Sequence, residues 1–514
     1  MSLDVLFINP GNAAGIYQDL SKDFSAIETP TWALLLAESC RSKGFKVSIL
    51  DVNAERIDNF EAAKKIIEVN PKLLVMVVYG QNPNSGTVNM SGAIELTNEI
   101  KKQSKSIIVS IIGSHAQALP TETMETEKNL DFVFTNEGVY SLWNVLSLEK
   151  IEFKNLKEIK GLCLRDKELN KVFMTPPEKI VPQSQMDIDL PGYAWDLLPY
   201  KKKPLDMYRA HFWHGNYDFE ERYPFAAIYT SLGCRFKCNF CMINLINRDD
   251  NDEIGQASNY ANMRYWSPNF IIKEFDKLVK MGVKNIRISD EMFLLNKKFY
   301  LPLCKLLKER GYGKFLNMWA YSRVDTVNPK YLSEVKEAGI RTLALGIESG
   351  DQKVRLEVTK GTFTDTNVNE VVKMIHDAGL EVMANYLFGL TSDDHESMEK
   401  TLKLSLELCT LGWNAYAVLP IPGSEIYKES RSKNLDIPKD YLDFSFHSYT
   451  TTPLGTDYLT PAEVLKFRDE AFIKYHKNKK FLTKIEKKFG KIAVDNINSM
   501  NKIRLKRKIL GDSN

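Results

Sequence analysis

Short apolar runs alternate with longer amphipathic stretches through the first part of the chain. Buried-strand patterns fall at 3–9, 46–52, 73–80, 106–113 and 131–136, and helical periodicity falls at 32–43, 61–69, 89–103 and 139–146. Thr29-Pro30 predicts a helix start with threonine as N-cap and proline at the first helical position, and Gly44 predicts its stop. Strands joined by helical crossovers make a Rossmann-like, doubly wound parallel sheet over residues 1–148. Ligands on such sheets bind beyond the carboxyl ends of the strands. The turns there are Asn9-Pro10-Gly11, Tyr79-Gly80-Gln81-Asn82, Gly113-Ser114-His115 and, after Asn136, Glu137-Gly138.

The pattern breaks over 149–222, where strand-like pieces, a Pro-Pro pair and charged turns read as a connecting segment. Alternation resumes over 223–430. Strand patterns lie at 226–232, 285–291, 316–322, 342–348, 382–390 and 414–420, with helical patterns between them, several ending in glycine. Six strand–helix units predict a partial (β/α)6 TIM-like barrel rather than a second open sheet. Residues 431–514 read as a polar helical region, and its basic end, KIRLKRKIL, reads as a solvated helix face.

Composition narrows the function without naming it. Of 514 residues, 44% are hydrophobic and 26% charged, as in ordinary globular proteins, and more than one core is needed. A net charge of +3 calls for no nucleic-acid partner. The beginning of the chain does not read as a signal peptide and no apolar run reads as a transmembrane segment, so the expected location is cytoplasmic. Seven cysteines, an odd count, argue against a disulfide framework. Cys40, Cys163, Cys304 and Cys409 are scattered in apolar surroundings and read as small buried hydrophobes.

The other three fall together in SLGCRFKCNFCMIN, as Cys234-x3-Cys238-x2-Cys241. Thiolates are soft ligands for zinc or iron–sulfur clusters. A closed zinc site needs four ligands, and here only a distant His211 or His214 is available to complete one. Three cysteines on a cubane leave one iron open. The loop also follows the first strand of the second array, where barrels display their active sites.

These residues resemble the radical S-adenosylmethionine (SAM) superfamily. The triad spacing matches its motif, with aromatic Phe240 before the last cysteine. Further strand-end motifs follow in order over residues 225–430: Ser289-Asp290-Glu291, Ser322-Arg323-Val324-Asp325, Gly346-Ile347-Glu348-Ser349-Gly350, Phe388-Gly389-Leu390 and the segment 422–427, PGSEIY. The resemblance implies a [4Fe-4S] cluster on Cys234, Cys238 and Cys241. It also implies SAM contacts from Phe240, Ser289, Asp290, Glu291, Ser322, Arg323, Glu348 and Phe388. For Arg323 internal pairing with Asp325 or Glu348 stands beside ligand contact, because a charge on an apolar strand needs one or the other.

The domain in front resembles the cobalamin-binding domain of cobalamin-dependent radical enzymes, through Thr29-Pro30, the helix and strand that follow, GSHAQALP and Asn136-Glu137-Gly138. It departs from many such domains in having no histidine in the first loop, 9–15, and the GxGxxG fingerprint of nicotinamide-binding domains is also absent there. The resemblance implies cobalamin contacts from Asn9, Pro10, Gly11, Thr29, Tyr79, Gly80, Gln81, Asn82, Gly113, Ser114, His115, Glu137 and Gly138, without a histidine lower ligand. His115 reads equally as a hydrogen-bonded loop histidine. The implied reaction is reductive cleavage of SAM to a 5′-deoxyadenosyl radical and methylation of an unactivated carbon of a small-molecule or biosynthetic-intermediate substrate. An electron donor such as flavodoxin or ferredoxin is implied as partner. Ring formation, C–C bond formation or oxidation without methyl transfer is the alternative, and a non-catalytic zinc or cobalamin module is a remote one. The segment 208–214, YRAHFWH, reads as packing between domains or as part of the active-site mouth.

Overall fold

A computed structural model describes residues 3–166, 169–249, 253–360, 363 and 366–513. The first sheet contains β1 (Val5–Asn9), β2 (Val47–Asp51), β3 (Leu73–Val77), β4 (Val109–Ile112), β5 (Phe132–Phe134), β6 (Leu162–Asp166) and β7 (Lys171–Met174). Its order is β2-β1-β3-β4-β5-β6-β7, with the first five strands parallel. β6 and β7, from the stretch that reads as connecting, extend it antiparallel. All of β3 is buried because helices cover both faces, which is why it reads as a continuous apolar run. The strand order reverses between β1 and β3, and that switch point opens a crevice at their carboxyl ends.

The first long helix corrects one expectation. It spans Thr31–Ser42 with Pro30 as N-cap and no side-chain cap. The Thr29 hydroxyl is engaged elsewhere: it accepts from Ala227 N at 2.9 Å and donates to Ala227 O at 3.2 Å. Residue 227 lies on β8 (Phe225–Ile228), the edge strand of the second sheet, whose free backbone groups need a partner. Tertiary demand thus takes the hydroxyl from the helix.

After β8 the chain leaves the sheet. The apolar run 226–232 breaks at Tyr229-Thr230, and β9 (Ser231–Gly233) pairs antiparallel with β10 (Met263–Tyr265) in a separate ribbon. The sheet continues with β11 (Asn285–Ile288), β12 (Asn317–Arg323), β13 (Ile340–Glu348), β14 (Glu381–Phe388) and β15 (Gly412–Ala417). These strands are parallel and in sequential order from β8 to β15, an open half-barrel. Helices such as Pro268–Lys280 cover its outside; Ser267 caps that helix by accepting from Phe270 N, and Pro268 occupies its first turn.

The two sheets share one hydrophobic core running through the linker. The 208–214 segment packs between them: Phe212 meets Phe24 edge-on and Trp213 meets Trp319. Cys40, Cys163, Cys304 and Cys409 are buried. Helices Pro461–His476, Lys479–Phe489 and Lys491–Met500 close the far side. The basic end is not a solvated helix face. Beyond Asn501 the chain is largely irregular, and Arg507, 1% exposed, donates to Asp469, Ser448 O and Phe446 O. A buried guanidinium needs these acceptors, and an exposed helix face has none to give it. Among the described residues no helix is long and apolar enough to cross a membrane.

Candidate active site

The cysteine loop begins directly after β9 and is held from several sides. Asn244 Oδ1 accepts from Cys234 N at 2.7 Å while its Nδ2 donates to Phe236 O at 3.1 Å. Asn239 N donates to Val358 O, and Asn239 O accepts from Ile426 N. Beneath it, Asp290 at the end of β11 accepts from Thr230 N, Thr230 Oγ1 and Ser231 Oγ at 2.5–2.6 Å. Its carboxylate spends these acceptors on the turn that launches the loop, so Asp290 braces the loop from below.

The three thiols are unpaired, half-buried and mutually close enough to influence one another. Burial pushes the Cys234 thiol up to about 12; Cys238 and Glu291 add to this and Arg323 opposes it. Burial pushes Cys238 up to about 11, with Glu348 adding and Arg323 opposing, and Cys241 rises through burial with Cys238, Glu291 and Cys234 adding. The cysteine loop and three strand-end groups, Glu291, Arg323 and Glu348, separated by more than a hundred residues from first to last, are thus brought to one place. Three soft donors on a short loop suit a multi-iron cluster with an open position. Among the described residues no group of three or more His, Cys, Asp or Glu is placed to hold a metal ion. His211 lies 2.7 Å from Glu28 and His214 2.8 Å from Asn317 O.

The residues beyond the thiols also fit a bound cofactor. Ser289 Oγ and Glu291 Oε1 are buried without a hydrogen-bond partner, which costs free energy unless a ligand's polar group completes them. Burial pushes Glu291 up to about 8 and Glu348 up to about 7. Glu348 sits at φ +65° where β13 bulges against β14, a strained placement for a non-glycine residue of the kind found at functional sites. Arg323 pairs with Asp325 at 2.7 and 2.5 Å, and its guanidinium stacks on Phe236 at 3.4 Å. The internal pair is therefore made. Ser322 Oγ lies 2.7 Å from Thr326 Oγ1. Phe240 packs with Val354, Leu390, Val418 and Ile426, and Phe388 is fully buried against Phe467.

The first sheet turns its carboxyl edge toward this loop. Tyr79 stacks on Trp32 at 4.4 Å and accepts from Gln117 Nε2 at 2.6 Å, Gly80 turns at φ +65°, and Ser114 Oγ donates to Pro83 O at 2.6 Å. Asn82 Oδ1, Gln117 Oε1 and Trp32 Nε1 are buried at this edge without partners, a donor and acceptor set suited to an amide-fringed cofactor. Asn9 Nδ2 donates to Asp51 Oδ1 at 2.8 Å; Pro10 is buried and Gly11 packs closely on the Asn53 backbone. His115 is buried, its Nδ1 3.0 Å from Thr87 Oγ1, and burial holds it down to about 4, an uncharged imidazole. Thr29 and Glu137 point to other tasks. Thr29 pins β8, as described. Glu137 forms a buried ion pair with Arg264 of β10 at 2.7 Å and accepts from Val181 N. Gly138, at φ +77°, follows it in a turn whose amide donates to Asn136 Oδ1.

Between the two edges Tyr17, Tyr321, Tyr416 and His447 lie deep in the molecule yet keep accessible surface, as side chains facing an internal space do. Glu28 and Arg287 form a buried pair there at 2.5 Å, and Arg287 donates to Tyr321 OH at 3.1 Å. The sequence reading missed Asn84, Asn244, Glu28, Arg287 and Arg264. None stands in a spaced motif; the only signal was a charge on an apolar strand at Arg287 and Arg264.

A doubly wound sheet facing a half-barrel across an open three-cysteine loop defines a two-cofactor radical enzyme. The chain is a radical SAM enzyme with a cobalamin-binding domain: the radical SAM superfamily profile matches residues 228–405 and the B12 binding domain profile residues 20–145. It is 26% identical over 450 residues to an uncharacterized methyltransferase of Pyrococcus horikoshii, covering 85% of this chain and 86% of the relative. It is 20% identical to the anaerobic magnesium-protoporphyrin IX monomethyl ester cyclase of Cereibacter sphaeroides, covering 90% of this chain and 68% of that one. Its fold is similar to that of the radical SAM methyltransferase TsrM from Kitasatospora setae, with a TM-score of 0.62 at 15% identity over 97% of this chain and 98% of that one.

Proposed function

We propose that this enzyme methylates an unactivated carbon of a small-molecule or biosynthetic-intermediate substrate held in the space between the sheets. When bound, the cluster and SAM supply an electron and a 5′-deoxyadenosyl radical, and cobalamin supplies the methyl group. Cys234, Cys238 and Cys241 hold the cluster. Ser289 Oγ and Glu291 Oε1 receive the polar end of SAM, and Glu348 stands near Cys238. Tyr79 to Asn82, Gly113 to His115 and the Asn9 turn line the cobalamin side, while the aromatic wall of Tyr17, Tyr321 and Tyr416 excludes water from the reacting carbon. The observation that carries this reading is the convergence of Glu291, Arg323 and Glu348 on three open thiols beneath the cobalamin-type sheet edge. A flavodoxin- or ferredoxin-type reductant in the cytoplasm completes the proposal. Arg235 and Lys237, exposed on the cysteine loop, offer an acidic carrier a complementary surface.

The test is an anaerobic assay with methyl-labelled SAM. Label should appear in product together with 5′-deoxyadenosine, and each of Cys234→Ala, Cys238→Ala and Cys241→Ala should abolish both along with the iron content. The cyclase likeness favours ring formation as the competing outcome. Formation of 5′-deoxyadenosine without label transfer, across substrates that turn over, would decide for it and against methylation.

A further inference from the structure

The first sheet reaches the cysteine loop through the side chain of Asn84. Asn84 lies in the turn Pro83–Ser85 that follows β3. Its Oδ1 accepts from Met242 N at 3.1 Å, and its Nδ2 lies 3.9 Å from Cys241 Sγ, within reach of an N–H···S hydrogen bond. The two contacts support each other. An amide has one acceptor end and one donor end. Once Met242 N–H takes the oxygen, the nitrogen is fixed toward the thiol beside it.

The turn is held so that this orientation persists. Ser114 Oγ donates to Pro83 O at 2.6 Å, and Ser85 Oγ donates to Asn82 O at 2.8 Å. Gly86 next to it is packed so tightly that a Cβ would fall 1.9 Å from Ser114 Oγ. On the other side of the contact, Met242 and Leu245 pack against Ala118 of the first sheet's edge. The donor is therefore placed by the docking of the two domains, not by the cysteine loop itself. Other donors to the triad sulfurs, such as Phe236 N to Cys234 Sγ at 3.4 Å and Arg323 to Cys238, come from the second domain itself.

We propose that Asn84 is a positioning residue that sets the reduction potential of the cluster from the cobalamin-binding domain. This rests on the reading that Cys234, Cys238 and Cys241 carry the cluster. Hydrogen bonds to cluster sulfurs stabilise the more negative, reduced state and raise the potential. Removing the donor favours the oxidised state. The donor belongs to the cobalamin-binding domain, so the packing of the two domains places it against the thiol.

The experiment is an EPR-monitored redox titration of the one-electron couple in the reconstituted holoenzyme, with iron content measured on the same samples. Asn84→Leu is close in size and removes the donor without adding charge. Its reduction equilibrium should fall about tenfold, a shift of about 59 mV to more negative potential for one electron, at full iron content. Asn84→Asp keeps the acceptor for Met242 N–H, loses the donor and adds a negative charge, so it should shift further in the same direction. Asn98→Ala removes an exposed amide of the same domain that pairs with Asn129 and should leave the potential where it is. A wild-type potential in iron-replete Asn84→Leu overturns the proposal, as does an equal shift in Asn98→Ala, which would mark a general effect of the domain. Should Asn84→Leu fail to take up iron, an unshifted Asn84→Asp overturns it. Absence of a cluster in the wild-type protein would instead sink the reading of the cysteine triad.

Discussion

Glu137→Ala should loosen the cysteine-bearing ribbon more than any change of comparable size on the surface. Glu137 is fully buried and Arg264 is 3% exposed. Their carboxylate–guanidinium contact is two-pronged, at 2.7 and 3.2 Å. Removing one partner of a buried pair costs about 3–5 kcal/mol because the other charge is left uncompensated. Here Arg264 keeps Val181 O, Ile246 O and Asn247 Oδ1 as acceptors, while Val181 N–H loses its own. The retained acceptors place the loss near the lower end, about 3 kcal/mol, more than a hundredfold in a local opening equilibrium. Arg264 pairs with Leu232 across β9–β10, and Cys234 follows two residues later, so the opening exposes the cluster loop. Native-state amide exchange resolves it better than global unfolding, because multi-domain chains of this size depart from two-state behaviour. The β9–β10 amides should lose about a hundredfold protection, and reconstituted iron content should fall. The double variant Glu137→Met with Arg264→Met should recover most of the protection, because an apolar pair of similar volume leaves no buried charge. Wild-type exchange in Glu137→Ala, or a double variant no better than the single one, would refute the reasoning.

Thr29→Val keeps shape but strands Ala227 N–H and C=O at the edge of the half-barrel, and should cost about 1–3 kcal/mol in chemical denaturation; a change within error would show that water takes over those groups. His115, His214, His447 and His476 are all held by burial well below the usual imidazole value of 6.5, to about 4, 3, 3 and 4. Between those values and 6.5 the unfolded chain binds more protons than the folded one, so stability should be fully present above pH 6.5 and fall as pH drops toward 4. His115→Asn, which can keep the Thr87 contact, should flatten that fall in urea midpoints measured across the range; an unchanged slope would contradict the burial argument.

The radical SAM loop was legible because its chemistry demands a spacing: three thiolates must reach one cluster from one short segment, and no distant residue can stand in. The parallel strands of both sheets were legible because strands buried on both faces are apolar throughout. Asp290, Thr29 and Glu137 show where that legibility stops. Asp290 and Glu137 follow strands and Thr29 precedes a helix, places where a ligand contact is expected. Asp290 braces the Thr230–Ser231 turn, Thr29 satisfies an edge strand 198 residues away, and Glu137 neutralises Arg264 across the domain boundary. Local sequence gives no sign of a partner so far along the chain.

The sequence by itself determined the two chemical halves of the protein: a sheet edge of the cobalamin-binding kind and a three-cysteine loop after the first strand of a second array. Periodicity and spacing are local, so they survive without a fold. Only the tertiary structure decided how the halves meet. It set Asn84 against Cys241, buried the Glu28–Arg287 and Glu137–Arg264 pairs between sheets, and turned a basic tail into a buried Arg507 anchor. Buried polar groups must find partners wherever the chain brings them, and that requirement is met by geometry across the whole molecule.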